Sequence, residues 1–121
     1  MLRSSCGGIR GNGSYEFDSP WSVASLFDNS SSDILVADTN NRRIQIFTIE
    51  YNGQFLYKKT LMTKEKPFFI ATNQQHVAVS CEKGFICTFL AKETVKIANI
   101  NLNKISSIQS KLIFNIFINS I

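Results

Sequence analysis

Histidine occurs once in this chain (His76), proline twice (Pro20 and Pro67) and cysteine three times (Cys6, Cys81 and Cys87). A lone histidine and no CxxC pair leave no Cys/His set with the spacing of a structural zinc site. They leave no Ser-His-Asp or Cys-His order for nucleophilic catalysis either. No GxxxxGK[ST] or GxGxxG stretch supplies a phosphate-cradling loop. The reading is therefore of a chain with no catalytic residue, no metal ligand and no cofactor site. Long apolar runs are missing as well. The densest, KLIFNIFI at 111–118, is interrupted by Asn115 and falls far short of the ~20 residues of a membrane helix. The N-terminal MLRSSCGGIRGNG lacks the apolar centre of a signal peptide. Together with the sparse cysteine, this gives the expectation of a cytoplasmic chain with reduced thiols and no membrane partner. Cys81 and Cys87 are nevertheless spaced to face each other across a hairpin. Two short Asn-x-Ser patterns, at Asn12 and Asn29, read as chance in so Asn- and Ser-rich a sequence.

Strong charge of either sign is absent. Thirteen Lys and Arg oppose nine Asp and Glu for a formal charge of +4, an excess that permits attraction to phosphate without arguing for it. The basic residues are scattered, with Arg42-Arg43, Lys58-Lys59 and Lys64-Glu65-Lys66 the tightest groups. They read as solvated surface; Arg42, Lys58 and Lys59 are the ones placed to meet a partner or an RNA phosphate.

What the chain does have is a globular composition, 44% hydrophobic and 18% charged, arranged in short runs rich in Val, Ile, Phe and Thr between Asn, Asp, Ser and Gly. Strands are expected near 21–26, 33–37, 43–50 and 54–61, and again near 68–72, 76–80, 84–90 and 94–100. No window keeps a helical period. Within RRIQIFTIEYNGQFLYKKT, Ile44 and Ile46 alternate with Gln45, Phe47 and Ile49, and the chain turns at Asn52-Gly53. Asn-Gly accepts the positive φ angles of a tight hairpin. Both faces of this hairpin are apolar, so it is expected to lie between neighbouring sheets, at least one of them outside the chain.

The two strand sets echo each other. SPWSVA returns as KPFFIA, ILVAD loosely as HVAVS, and RIQIF as FICTF. Four strands per unit of ~40–45 residues is the period of propeller blades. The residues resemble those of the NHL-repeat β-propellers, whose repeat runs Phe-x-x-Pro-x-x-Val-Ala, then Ala-Asp-Thr, then Asn-x-Arg-Ile. FDSPWSVA (17–24), ILVADTNNRRIQIF (34–47) and YNGQFL (51–56) follow that order, with Pro20, Asp38, Asn41, Arg43 and Ile44 on the signature positions. The second unit has Cys81, Glu82 and Lys83 in place of the polar knot.

The resemblance implies an all-β, incomplete β-propeller of two four-stranded antiparallel blades with an irregular C-terminal tail. Residues 1–16 would be a glycine-rich lead-in loop, 17–61 a first blade, 62–100 a degenerate second blade and 101–121 an atypical tail or the start of a third. The tail is built almost wholly from Asn, Ile, Ser, Lys, Phe and Leu, a composition expected of A/T-rich read-through past an exon end as an alternative to a degraded third blade, and its apolar run is an aggregation hazard. The family also implies a platform for protein partners, with RNA second, often at the C-terminus of tripartite-motif ubiquitin ligases. Their RING and B-box modules do not occur in these residues. Missing blades would come from a longer chain or from self-association. Two other readings stand beside this one: part of a propeller lyase acting on peptidyl hydroxyglycine, whose metal-holding histidines have at most one counterpart here, and an incomplete gene product without independent activity. In the knot, Asp and Asn accept backbone N–H bonds that a strand connection leaves open. Arg43 can reach Asp38 or carbonyls of the next blade. Trp21, Tyr15, Tyr51 and Tyr57 read as packing or rim residues.

Overall fold

The computed structural model describes residues 8–27, 32–73, 76–90 and 95–101, with the backbone alone described at 27, 90 and 95–101. Eight strands fill these residues: β1 (Pro20–Phe27), β2 (Ser32–Asp38), β3 (Arg43–Ile49), β4 (Phe55–Met62), β5 (Pro67–Thr72), β6 (His76–Cys81), β7 (Phe85–Leu90) and β8 (Val95–Asn101). Each overlaps its sequence-assigned range. They form two antiparallel four-stranded sheets, in the orders β1-β2-β3-β4 and β5-β6-β7-β8. No helix among the described residues is long and apolar enough to cross a membrane. The predicted hairpin turn is present. Gly53 takes a φ of 86°, and the Asn52 side chain accepts a bond from the Gln54 amide at 3.0 Å. This is the short Asx bond that favours asparagine before glycine in such turns.

Strand alternation gives each sheet two faces. In the first sheet, the register pairs Ala37 with Ile44 and Leu35 with Ile46 on one face, and Asp38 with Arg43, Val36 with Gln45 and Ile34 with Phe47 on the other. In the second, Val79 pairs with Cys87 and Val77 with Phe89. Leu35, Ala37, Ile44, Ile46 and Leu61 meet Val77, Val79, Cys81, Cys87 and Phe89 in one apolar cluster between the sheets. The backbones come closest where β5 lies against β1 and β2. There Ser22 Oγ donates to the Phe68 carbonyl at 2.6 Å, Thr39 Oγ1 to that of Pro67 at 2.6 Å, and Thr72 Oγ1 to that of Ser25 at 3.0 Å. Trp21 sets its ring edge-to-face on Phe68, with centroids 5.2 Å apart.

One expectation is corrected here. The apolar hairpin does not wait for sheets outside the chain: Ile44 and Ile46 are 0% exposed and Phe47 is 1% exposed. The isoleucines press on the second sheet. Phe47 is covered by Tyr15 of the lead-in and by Phe17 directly after it, whose rings lie 5.4 and 5.9 Å from its own. A segment read as loop thus supplies part of the second wall.

This burial makes a direct contrast testable by urea denaturation. Ile46→Ala should cost about 2–5 kcal/mol, as for large-to-small changes in packed cores. Tyr51→Ala, at a fully exposed side chain in the β3–β4 turn, should stay within about 0.5 kcal/mol.

Candidate functional site

The polar knot between β2 and β3 closes in a few residues. β2 ends at Asp38, Thr39–Asn41 make one 3-10 turn, and Arg42 reverses the chain in the left-handed region at φ 52° and ψ 51°. Its amide donates back to the Thr39 carbonyl at 3.1 Å, and β3 starts at once with Arg43. Asp38 and Arg43 are register partners, so their side chains leave the sheet on the same face.

Asp38 is fully buried. Its Oδ2 accepts from Arg43 Nε at 2.6 Å and from Asn41 Nδ2 at 2.9 Å, and its Oδ1 accepts from the Asp18 amide at 2.7 Å. Arg43 spends the rest of its fork on the lead-in. One terminal nitrogen donates to the Asn12 carbonyl at 2.7 Å; the other donates to those of Gly13 and Glu16 at 3.0 and 2.9 Å. Asn41 Nδ2 also donates to the Gly11 carbonyl at 2.8 Å, and Gln45 Nε2 to that of Glu16 at 2.6 Å. An outer ring completes the arrangement. Asn40 Nδ2 and Arg10 Nε donate to Asp18 Oδ1 at 3.1 and 3.2 Å. The Asn40 hydrogen bond, with Arg10 adding its charge, holds the Asp18 carboxyl below its ordinary value of 3.8 against a smaller opposing effect of desolvation.

Four hydrogen bonds from Arg43 end on protein acceptors, which leaves one of the five guanidinium N–H groups. The arrangement is a clamp: it ties a chain segment with little regular structure to the outer face of the first sheet. It reaches Asp38, one of the two targets expected for Arg43. The carbonyls it holds belong to the preceding lead-in rather than to a following unit.

The other sequence-selected residues lie apart. Pro20 opens β1 on the surface opposite Asp38 in register, and Ile44 belongs to the inter-sheet core. Arg42 is exposed, and its carbonyl accepts from the Thr63 amide at 2.9 Å. Lys58 lies towards the other end of β4, where Nζ donates to Asp33 Oδ2 at 2.6 Å. Asp33, itself buried, also accepts from Thr48 Oγ1 at 2.9 Å. Lys59, next to Lys58 on the strand, is half-buried. Arg42, Lys58 and Lys59 therefore do not share one patch. Sequence reasoning missed Arg10, Asp18, Gln45 and the Asp33–Lys58 pair. The acceptors at Gly11, Asn12, Gly13 and Glu16 are main-chain carbonyls, for which residue type gives no signal.

Two further features stand outside the knot. Cys81 and Cys87 are buried and reduced, with sulfurs 3.8 Å apart. The Cys87 contact and burial push the Cys81 thiol upward, with Glu65 and Glu82 adding to the effect. Beside them lies a cavity of about 70 Å³ lined by Lys64, Glu65, Phe85 and Cys87. Trp21, Val23 and Phe69, on β1 and β5, are more than half exposed. Among the described residues no group of three His, Cys, Asp or Glu side chains is placed to hold a metal ion. No protein-family model matches the chain, and no curated protein matches it.

Lysine at position 43 should separate charge from fork geometry. Arg43→Lys keeps a cation for Asp38 but cannot also serve three carbonyls, so a loss of about 2–4 kcal/mol is expected. Urea denaturation monitored by circular dichroism would measure it. A loss below about 0.5 kcal/mol, the range of ordinary surface changes, would show that the fork is not holding the lead-in.

Proposed function

We propose that this chain supplies two consecutive blades of an NHL-type β-propeller and works as a non-catalytic platform for a protein partner. The observation that carries the reading is which faces of the two sheets meet. Pro20 pairs with Asp38 and Pro67 with Cys81, each followed by a register shift. The β3–β4 and β7–β8 ladders shift again at Ile46/Phe47 and Thr88/Phe89. Aligned by these landmarks, Cys81 corresponds to Asp38, Val79 to Val36, Cys87 to Gln45 and Phe89 to Phe47. The second sheet thus turns its Asp38-type face toward the opposite, Ile44-type face of the first. In a two-fold sandwich like faces would meet. Unlike faces repeat head-to-tail, and such a contact generates rings when its rotation closes.

The first sheet's own Asp38-type face carries the lead-in over Phe47 and Val36, while Val23 stays 63% exposed on that face and leaves a seat for a preceding sheet. For the partner, Trp21 and Phe69 offer a patch along the two first strands, apolar and aromatic in the manner of protein-binding surfaces. The RNA alternative has less support, since Lys58 is engaged by Asp33 and Arg42 stands at the other end of the sheet.

Light scattering coupled to size exclusion tests the propeller reading on the full chain. Closed rings of about four to eight blades predict discrete assemblies of about two to four chains. A folded monomer that persists unchanged through the micromolar to millimolar range would contradict it.

A further inference from the structure

We propose that Cys81 and Cys87 are a peroxide-oxidisable dithiol, reached through the cavity lined by Lys64, Glu65, Phe85 and Cys87, which closes into a disulfide across the β6–β7 connection. The sulfurs already stand 3.8 Å apart, in contact and facing each other, and need to approach to about 2.05 Å for a bond. Cys81 ends β6, and Cys87 lies two residues into β7 beyond the Glu82–Gly84 turn. In register Cys87 stands opposite Val79, so Cys81 is its diagonal neighbour on the same face, and the bond forms by rotation of both side chains with a small inward shift of the β6–β7 connection.

The cavity has a structural origin. By the alignment of the two sheets, Phe85 stands where Arg43 stands in the first, and Cys81 and Cys87 where Asp38 and Gln45 stand. In the first sheet that volume is filled by the Arg43 fork and the carbonyls it holds. In the second the fork is absent and a cavity of about 70 Å³ remains, with Cys87 in its wall. One water needs roughly 10–15 Å³ by such a measure, so hydrogen peroxide fits and a tripeptide disulfide does not. Thr63, next to the lining residue Lys64, has a buried Oγ1 without a hydrogen-bond partner among the described residues.

Chemically, the Cys87 sulfur, as thiolate, attacks one peroxide oxygen. The O–O bond breaks, and the departing hydroxide takes up the thiol's proton as water, leaving a sulfenic acid on Cys87. The Cys81 sulfur, giving up its own proton, then attacks that sulfur. The S–S bond forms as the S–O bond breaks, and a second water leaves. Two thiols and one peroxide give one disulfide and two waters, with sulfur oxidised and peroxide oxygen reduced. A dithiol reductant reverses the product. The crosslink would secure the connection in the second sheet as the Asp38–Arg43 pair does in the first.

The test uses residues 1–121 carrying Cys6→Ser, which removes the third thiol. The folded protein is treated with hydrogen peroxide, alkylated and digested with trypsin without reduction. Cleavage after Lys83 separates the two cysteines, so the disulfide is read as peptides 65–83 and 84–92 joined, with loss of two hydrogen masses. The expected result is this species in native buffer, reversed by dithiothreitol and accompanied by a higher melting temperature that the same reductant abolishes. Oxidised glutathione should leave native Cys87 unmodified. In Cys81→Ser, dimedone added together with denaturant, after the folded chain has been exposed to peroxide and the excess removed, should trap a sulfenic acid on Cys87; in Cys87→Ser, Cys81 should stay unmodified by the same treatment. Crosslinking only in denaturant, sulfinic acid without crosslink, or glutathionylation of native Cys87 would overturn the proposal.

Discussion

The first sheet depends on one buried carboxylate. Asp38 carries its charge out of water, a cost that only close partners can offset, and it has three donors: Arg43 Nε, Asn41 Nδ2 and the Asp18 amide. Arg43 is buried with it and would be equally costly alone. Its remaining contacts are carbonyls of the lead-in, so the ion pair is complete only when residues 12–16 lie in place. The electrostatics of one strand connection thereby decide the position of a segment with little regular structure. That segment in turn places Tyr15 and Phe17 on Phe47. Polar satisfaction and apolar burial on this face are one event: removing either leaves the other exposed to water.

The two sheets solve the same connection differently. In the first, a left-handed Arg42 follows a 3-10 turn and an ion pair spans the gap. In the second, Lys83 takes the left-handed conformation at φ 62°, and a pair of thiols spans it. The apolar sulfurs suit a face that packs on Leu35, Ala37, Ile44 and Ile46, where an unpartnered carboxylate would be costly. The lack of a charged pair at the β6–β7 connection therefore follows from where that face points. The first sheet's equivalent face has a polar segment to clasp, whereas the second's has an apolar sheet.

Much of the secondary structure was legible because its signals are local. Alternation at Ile44–Ile49, the Asn52-Gly53 turn and the punctuating Asn, Asp and Ser clusters each act within a few residues. Placing Asp38, Asn41 and Arg43 together also followed from turn chemistry. What could not be read was the target of the Arg43 fork, because its acceptors are backbone carbonyls some thirty residues upstream that any residue type provides. The covering of Phe47 was hidden for the same reason. Glycine-rich composition announces conformational freedom, not the surface on which the loop will lie. Lys58 looked like a free surface cation because its partner, Asp33, lies on a strand two positions away in the sheet.

The central claim is that Asp38 anchors the lead-in, and hydrogen exchange at single amides in the native state tests it most directly. With Asp38→Ala, the Asp18 amide, which donates to Asp38 at 2.7 Å, should lose its protection, while the β6–β7 ladder amides keep theirs. Unchanged protection at Asp18, or an equal loss across both sheets, would contradict the account.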